Sequence, residues 1–131
     1  MSADFLDSNI LLYLTSGERS KAELVEDLLA DRPVISSQVL NEITNVLRRK
    51  VRFDWVETNR FVDRVISLTT VLPITSDTNI SARQVAERYR FAVYDSVVVA
   101  SALEGGCARL LTEDLHHSQR IGDLTITNPF R

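Results

Sequence analysis

Short apolar runs that alternate with segments of helical periodicity predict an α/β fold, a three-layer α/β/α sandwich with a central parallel sheet. Two further observations agree. The chain has 131 residues, the length of one domain spanning 1–131, and it is 44% hydrophobic and 25% charged, the balance of a packed globule. No Pro-, Gly- or Ser-rich break divides it, and no internal repeat is present.

The elements follow in order. Residues 4–6, 33–36, 71–74 and 109–112 are the predicted buried strands, with 124–127 a weaker fifth. The segment 20–30 carries Leu24, Val25, Leu28 and Leu29 at helical spacing. Residues 38–49 set Val39, Leu40, Ile43, Val46 and Leu47 on one face, and 54–68 repeat the pattern with Val56, Phe61, Val62, Val65 and Ile66. Ser76 and Asp77 are expected to cap a helix running to about residue 89. The stretch 95–104 begins like a strand, with three consecutive valines. It ends like a helix, in Ala-Ser-Ala-Leu-Glu stopped by Gly105-Gly106. Length and the glycine stop favour a buried helix.

Composition excludes several functions. Four glycines, at 17, 105, 106 and 122, cannot build a P-loop or a dinucleotide fingerprint. The lone Cys107, between Gly-Gly and a buried strand, reads as a small core residue. It cannot form an internal disulfide, which together with the acidic, non-signal start MSADFLDSN points to the cytoplasm. No apolar run is long enough to cross a bilayer. Adjacent His116 and His117 lack the spacing of a zinc site. The net charge is −3, so no global basic field draws nucleic acid. The basic residues are nevertheless almost all arginine, Lys21 and Lys50 being the only lysines. Arg48, Arg49, Lys50 and Arg52 fall in one run, a solvated helix face or a phosphate-binding one.

The acids are placed more tellingly. Asp7 follows the first strand (FLDSN), Glu42 lies one turn into the next helix (SSQVLNEI), Asp95 opens the buried helix (YDSVVV) and Asp114 follows the fourth strand (LLTED). Ligands of an open parallel sheet collect beyond the carboxyl ends of its strands. A helix cap is the plainer reading of Asp95 by itself, although a capping-box partner is lacking, since Val98 stands three residues on. Glu42 falls on the margin of its helix's apolar stripe, an awkward place for a surface glutamate. Asp77, in SDTN, imitates DSN at 7–9 but belongs to a helix start.

In order and spacing, DSN at 7–9, Glu42, YDS at 94–96 and TED at 112–114 resemble the PIN domain family across almost the whole chain. In size the chain resembles the VapC-type toxins of toxin–antitoxin pairs. The resemblance implies a metal-dependent endoribonuclease with Asp7, Glu42, Asp95 and Asp114 as catalytic acids. It implies that Asp7, Asp95 and Asp114 are metal ligands and that Asn9 and Thr112 support them. Glu113 is a fifth acid, ranked below Asp114 because neighbours on extended backbone point opposite ways. Ser8 stands where the family more often has Thr.

All-oxygen ligands select hard ions, here Mg²⁺ or Mn²⁺, and a water activated by the ion attacks phosphorus in line. An acidic pocket repels RNA, so Arg48, Arg49 and Lys50 are the expected backbone holders. The implied partners are an RNA substrate, a small antitoxin and a second copy of the chain. Tyr13, Phe53, Trp55 and Phe61 are more aromatic surface than two short amphipathic helices need to bury; Phe61 is assigned to the core, and Trp55, at a helix start, is the exposed candidate for docking an antitoxin segment. A receiver-type phosphoacceptor fails because Asp7 has no acidic neighbour and neither lysine follows a late strand. A DxD phosphatase fails at Asn9. A PIN nuclease of RNA processing or DNA cleavage, and an inactive nucleic-acid-binding module, remain the alternatives.

Overall fold

The computed structural model describes residues 3–131. Its centre is a six-stranded sheet in the order β3-β2-β1-β4-β6-β5. The strands are β1 (Phe5–Leu6), β2 (Val34–Ser36), β3 (Thr70–Leu72), β4 (Arg109–Leu111), β5 (Arg120–Ile121) and β6 (Leu124–Thr127). All neighbouring pairs are parallel except β5 with β6. The antiparallel β5 escapes the sequence reading because it has two residues, too few to show alternation.

The helices are α1 (Ser8–Leu11), α2 (Arg19–Ala30), α3 (Ser37–Val46), α4 (Trp55–Leu68), α5 (Ser76–Tyr89) and α6 (Val93–Glu104). Phe5, Leu6, Ile35, Leu110, Leu111 and Ile126 bring the sheet's apolar side chains into one core with Val39, Ile43, Val65 and Val99 from the helices. From Ser96 to Ala102 every residue of α6 is buried. A helix enclosed on all sides has no polar face, which is why its three valines read like a strand.

Most boundaries shift by a residue, and four depart in a way that matters. The predicted strand 71–74 is β3, one residue earlier, and it is an edge strand with no buried residue; Pro73 has no N–H to extend the ladder. The predicted helix 38–49 ends at Val46 and widens into a π-helical turn, Leu47–Val51. Arg52 then adopts φ +65°, and Phe53 N–H donates to the Leu47 carbonyl at 2.9 Å. The cap of α5 is Thr75, reciprocally bonded with Thr78, and not Ser76 or Asp77, which lie inside the first turn. Likewise α6 begins two residues before Asp95, with Ala92 at its cap position. Asp54 caps α4 in a full capping box with Glu57.

Candidate active site

The short helix α1 sets the first acid. Asp7 leaves β1 with its N–H donating to the Leu111 carbonyl at 3.0 Å, which fixes the end of β1 against β4. Its carboxylate caps α1, Oδ1 accepting from Ser8 N–H at 2.8 Å. The other oxygen accepts from the Thr112 hydroxyl at 2.8 Å and from Asn9 Nδ2 at 3.4 Å. Thr112 stands just past β4 and is fully buried. Its oxygen also accepts from Asn9 Nδ2 at 3.3 Å and from Asp114 N–H at 3.1 Å. Two donors on its lone pairs leave its own proton for Asp7. Asn9 closes the ring, its Oδ1 accepting from Glu113 N–H at 3.4 Å.

Glu42 approaches from α3. Its Oε2 accepts from the Ser8 hydroxyl at 3.3 Å, and its Oε1 accepts from Gln38 Nε2 at 3.1 Å. The same Gln38 amide reaches the Tyr94 carbonyl at 3.4 Å, tying α3 to the first turn of α6, where Asp95 sits. Sequence reasoning left Gln38 and Ser8 out of the site. The signal for Gln38 was its position four residues before Glu42, on the same helix face.

The field is one of like charges. Burial pushes the Asp7 carboxyl up to about 6. The Thr112 and Ser8 bonds oppose that rise, while Glu42 and Asp114 add to it. Burial also raises Asp95, with Asp114 and then Glu42 adding repulsion. Asp7, Glu42, Asp95 and Asp114 therefore share one electrostatic neighbourhood at the carboxyl ends of β1 and β4. Among the described residues, however, no group of three or more His, Cys, Asp or Glu side chains is arranged to hold a metal ion.

Glu113 turns elsewhere, its Oε1 accepting from the Tyr13 hydroxyl at 2.7 Å. The Tyr13 ring packs edge-on against Phe130 at 4.8 Å. Of the expected RNA-holding residues, Arg48 folds back: it donates to the Phe53 carbonyl at 2.7 Å and lies 4.4 Å over the Trp55 ring. Trp55 is 55% exposed. Arg49 and Lys50 are exposed on the π-helical turn and form no side-chain bond with another described residue. Cys107 is buried, its thiol pushed up to about 11, as suits an inert core residue. Among the described residues no helix is long and apolar enough to cross a membrane.

The acids gather at the switch between β1 and β4, where an open α/β sheet collects its ligands. Residues 5–122 match the PIN domain family model, and the chain belongs to that family. A comparison with curated proteins gives no match. Among solved structures the fold is similar to a toxin–antitoxin complex from Klebsiella pneumoniae, with TM-score 0.72, 21% identity, and 95% of this chain and 96% of that chain covered. It is equally similar to the DNA-bound VapBC complex of Salmonella typhimurium, with TM-score 0.72, 23% identity, and 96% and 97% covered. The Mycobacterium tuberculosis toxin VapC20, which cleaves the sarcin–ricin loop, aligns with TM-score 0.67, 18% identity, and 86% and 90% covered. The fold class and the family resemblance read from the sequence are both borne out.

Proposed function

We propose that the chain is a metal-dependent endoribonuclease, the toxin of a toxin–antitoxin pair. The observation that carries this reading is the gathering of Asp7, Glu42, Asp95 and Asp114 at one end of the sheet, where burial, and then Glu42 and Asp114, raise both Asp7 and Asp95, in a PIN-family fold similar to that of VapC-type toxins. Such a field favours a hard cation, and the donor chemistry, carboxylate oxygen with hydroxyl and amide support, is that of Mg²⁺ or Mn²⁺, although among the described residues no three acids are arranged around one point. Asp7, Asp95 and Asp114 would hold it. When bound, the ion supplies Lewis-acid activation of water and neutralises phosphate charge.

The chain's own residues do the rest. Thr112 and Ser8 N–H hold the Asp7 carboxylate in one orientation. Their bonds favour its charged form against burial, which keeps it available as an anion. Glu42, held by Ser8 and Gln38, would accept a proton from the attacking water. Arg49 and Lys50 lie on the turn that follows the Glu42 helix, where they would meet the phosphate backbone.

The antitoxin reading is supported by a separate apolar groove. It measures about 500 Å³ and runs between α2 and α4, where Leu14, Leu29, Phe61, Val65 and Leu68 form the floor and Glu26 and Arg64 the charged rim. That shape and charge pairing suit an amphipathic helix. Phe61, expected in the core, is half-buried and lines this groove while packing on the core. The second copy of the chain is likewise proposed; sedimentation at 14.8 kDa at micromolar concentration would remove it.

The direct test incubates purified protein with single-stranded RNA and Mg²⁺ or Mn²⁺. Cleavage that stops on adding EDTA and returns with the metal is expected. Undiminished cleavage in EDTA would overturn metal dependence, and cleavage of DNA with RNA left intact would favour the DNA nuclease alternative.

A further inference from the structure

Beside the acid crevice lies a second groove, of about 490 Å³, lined by Gln38, Asn41, Glu42, Asn45, Ile74 and Tyr94. Three features of it have no role in holding the fold. Asn41 and Asn45 are exposed one turn apart on α3, and neither side chain bonds to another described residue. Tyr94 is 73% exposed and its neighbour Val93 63%, in the first turn of a helix whose middle, Ser96–Ala102, is enclosed by the core. Glu42 lines this groove as well as the acid crevice, so whatever fills the groove lies next to the reacting phosphate.

The chemistry selects the occupant. A flat phenol ring offers a stacking surface for any base. Two free amides each present a donor and an acceptor, the pattern that reads a base edge. The Glu42 carboxylate repels phosphate but accepts from an exocyclic amino group. Gln38 bonds to both Glu42 and the Tyr94 backbone, so one side chain links the acid to the turn that carries the stacking ring.

We propose that this groove holds one unstacked nucleobase of the RNA strand, adjacent to the scissile phosphate, with Tyr94 stacking on it and Asn41 and Asn45 reading its edge. The proposal rests on the nuclease reading above and adds the part of the site that selects sequence. A base can enter only from a single-stranded segment, so the substrate class is a loop or unpaired strand.

Two measurements test it. In the Asp95→Asn background, which is expected to remove cleavage, binding of a fluorescent single-stranded hexaribonucleotide is followed by anisotropy. Tyr94→Ala is expected to weaken binding by about tenfold or more, and Tyr94→Phe, which keeps the ring, to restore most of it. In the otherwise wild-type chain, Tyr94→Ala should raise KM more than it lowers kcat, and Asn41→Ala or Asn45→Ala should change the base preferred at the cut in a randomised RNA. The side chains are exposed, so thermal melting of each variant should match its parent. Cleavage with unaltered base preference, together with unaltered binding in Tyr94→Ala, overturns the base site while leaving the nuclease reading intact. Tyr94-dependent binding by a chain that cuts no RNA supports the base site and overturns the nuclease reading.

Discussion

Asp4 and Asp7 stand three residues apart at opposite ends of β1, and the molecule treats them in opposite ways. Asp4, at the amino end, takes a forked ion pair from Arg109, with Nε at 2.9 Å and Nη2 at 2.6 Å. Asp7, at the carboxyl end, is 5% exposed and faces Glu42 and Asp114 without a cation. Among the described residues, the donors that reach it, Ser8 N–H, Asn9 and Thr112, are neutral. The first end of the sheet is satisfied by the chain itself; the second is left electrostatically incomplete. Under the proposed function, the deficit at Asp7 is where the cation would belong.

The sharpest way to break this contrast is to neutralise the deficient end. Asp7→Asn and Asp95→Asn should each abolish RNA cleavage while leaving the fold and the far ion pair intact, checked by cleavage assay and circular dichroism. In the same variants the metal response should collapse. Wild type should gain about 2.7 kcal/mol at a hundredfold excess of metal over Kd, and Asp95→Asn should lose most of that gain. Asp95 lies inside the first turn of α6 and does not cap it, so a capping role offers no competing explanation. Equal metal-induced melting shifts in the two proteins would remove Asp95 from the site.

The pH dependence follows from the same end. Folding raises the Asp7 carboxyl from 3.8 to about 6, so the folded state binds this proton more tightly than the unfolded chain does. The stability it contributes is full below the unfolded value and is lost as pH rises through about 6. In metal-free protein that loss amounts to about 3 kcal/mol, at roughly 1.4 kcal/mol for each tenfold change in proton affinity. Urea unfolding between pH 4 and 7.5 should show the decline in wild type. Asp7→Asn should lack it and be the more stable protein at neutral pH. A wild type and variant with parallel profiles would show that Asp7 is not the titrating group.

The same contrast explains how far the sequence could be read. Asp7, Glu42, Asp95 and Asp114 were legible as a set because order and spacing survive in one dimension. So were the parallel strands and the buried α6, since apolar runs and a glycine stop are local signals. Pairings across the fold were not. Nothing near Thr112 reveals that its hydroxyl proton is directed at Asp7, 105 positions away, and nothing near Gln38 reveals the Tyr94 carbonyl. The departure of Arg48 toward Trp55 depends on the π-helical turn, which no propensity of Leu-Arg-Arg-Lys-Val dictates. Strand alternation does not separate Glu113 from Asp114, since both lie in a bend past β4, and the tyrosine that engages Glu113 lies 100 residues earlier.

Thr112, the neutral donor that serves the deficient end, gives an effect of intermediate size. Thr112→Val keeps the shape and removes the proton donated to Asp7, as well as the acceptor for Asn9 and Asp114 N–H. Loss of this support should reduce activity by about 10–100-fold and stability by about 1 kcal/mol. The activity–pH profile should shift upward, because a bond that favours the charged carboxylate is gone. Reduced activity with an unmoved profile would mean that Thr112 serves packing and not the ionisation of Asp7.

The smallest effect belongs to the satisfied end. The Arg109 side chain is 49% exposed and that of Asp4 23%, so water and salt screen their attraction even though the fork geometry is good. Arg109→Ala and Asp4→Ala should each cost about 1 kcal/mol or less. The double variant should cost little more than either single, as expected of two residues whose main interaction is with each other. Cleavage rate and metal-induced stabilisation should stay at wild-type values, because neither residue touches the acid crevice. An Arg109 variant that lost metal response as fully as Asp95→Asn would show that the ends of the sheet are coupled through β1 and β4. The separation of a structural aspartate from a functional one, three residues apart on one strand, would then fail.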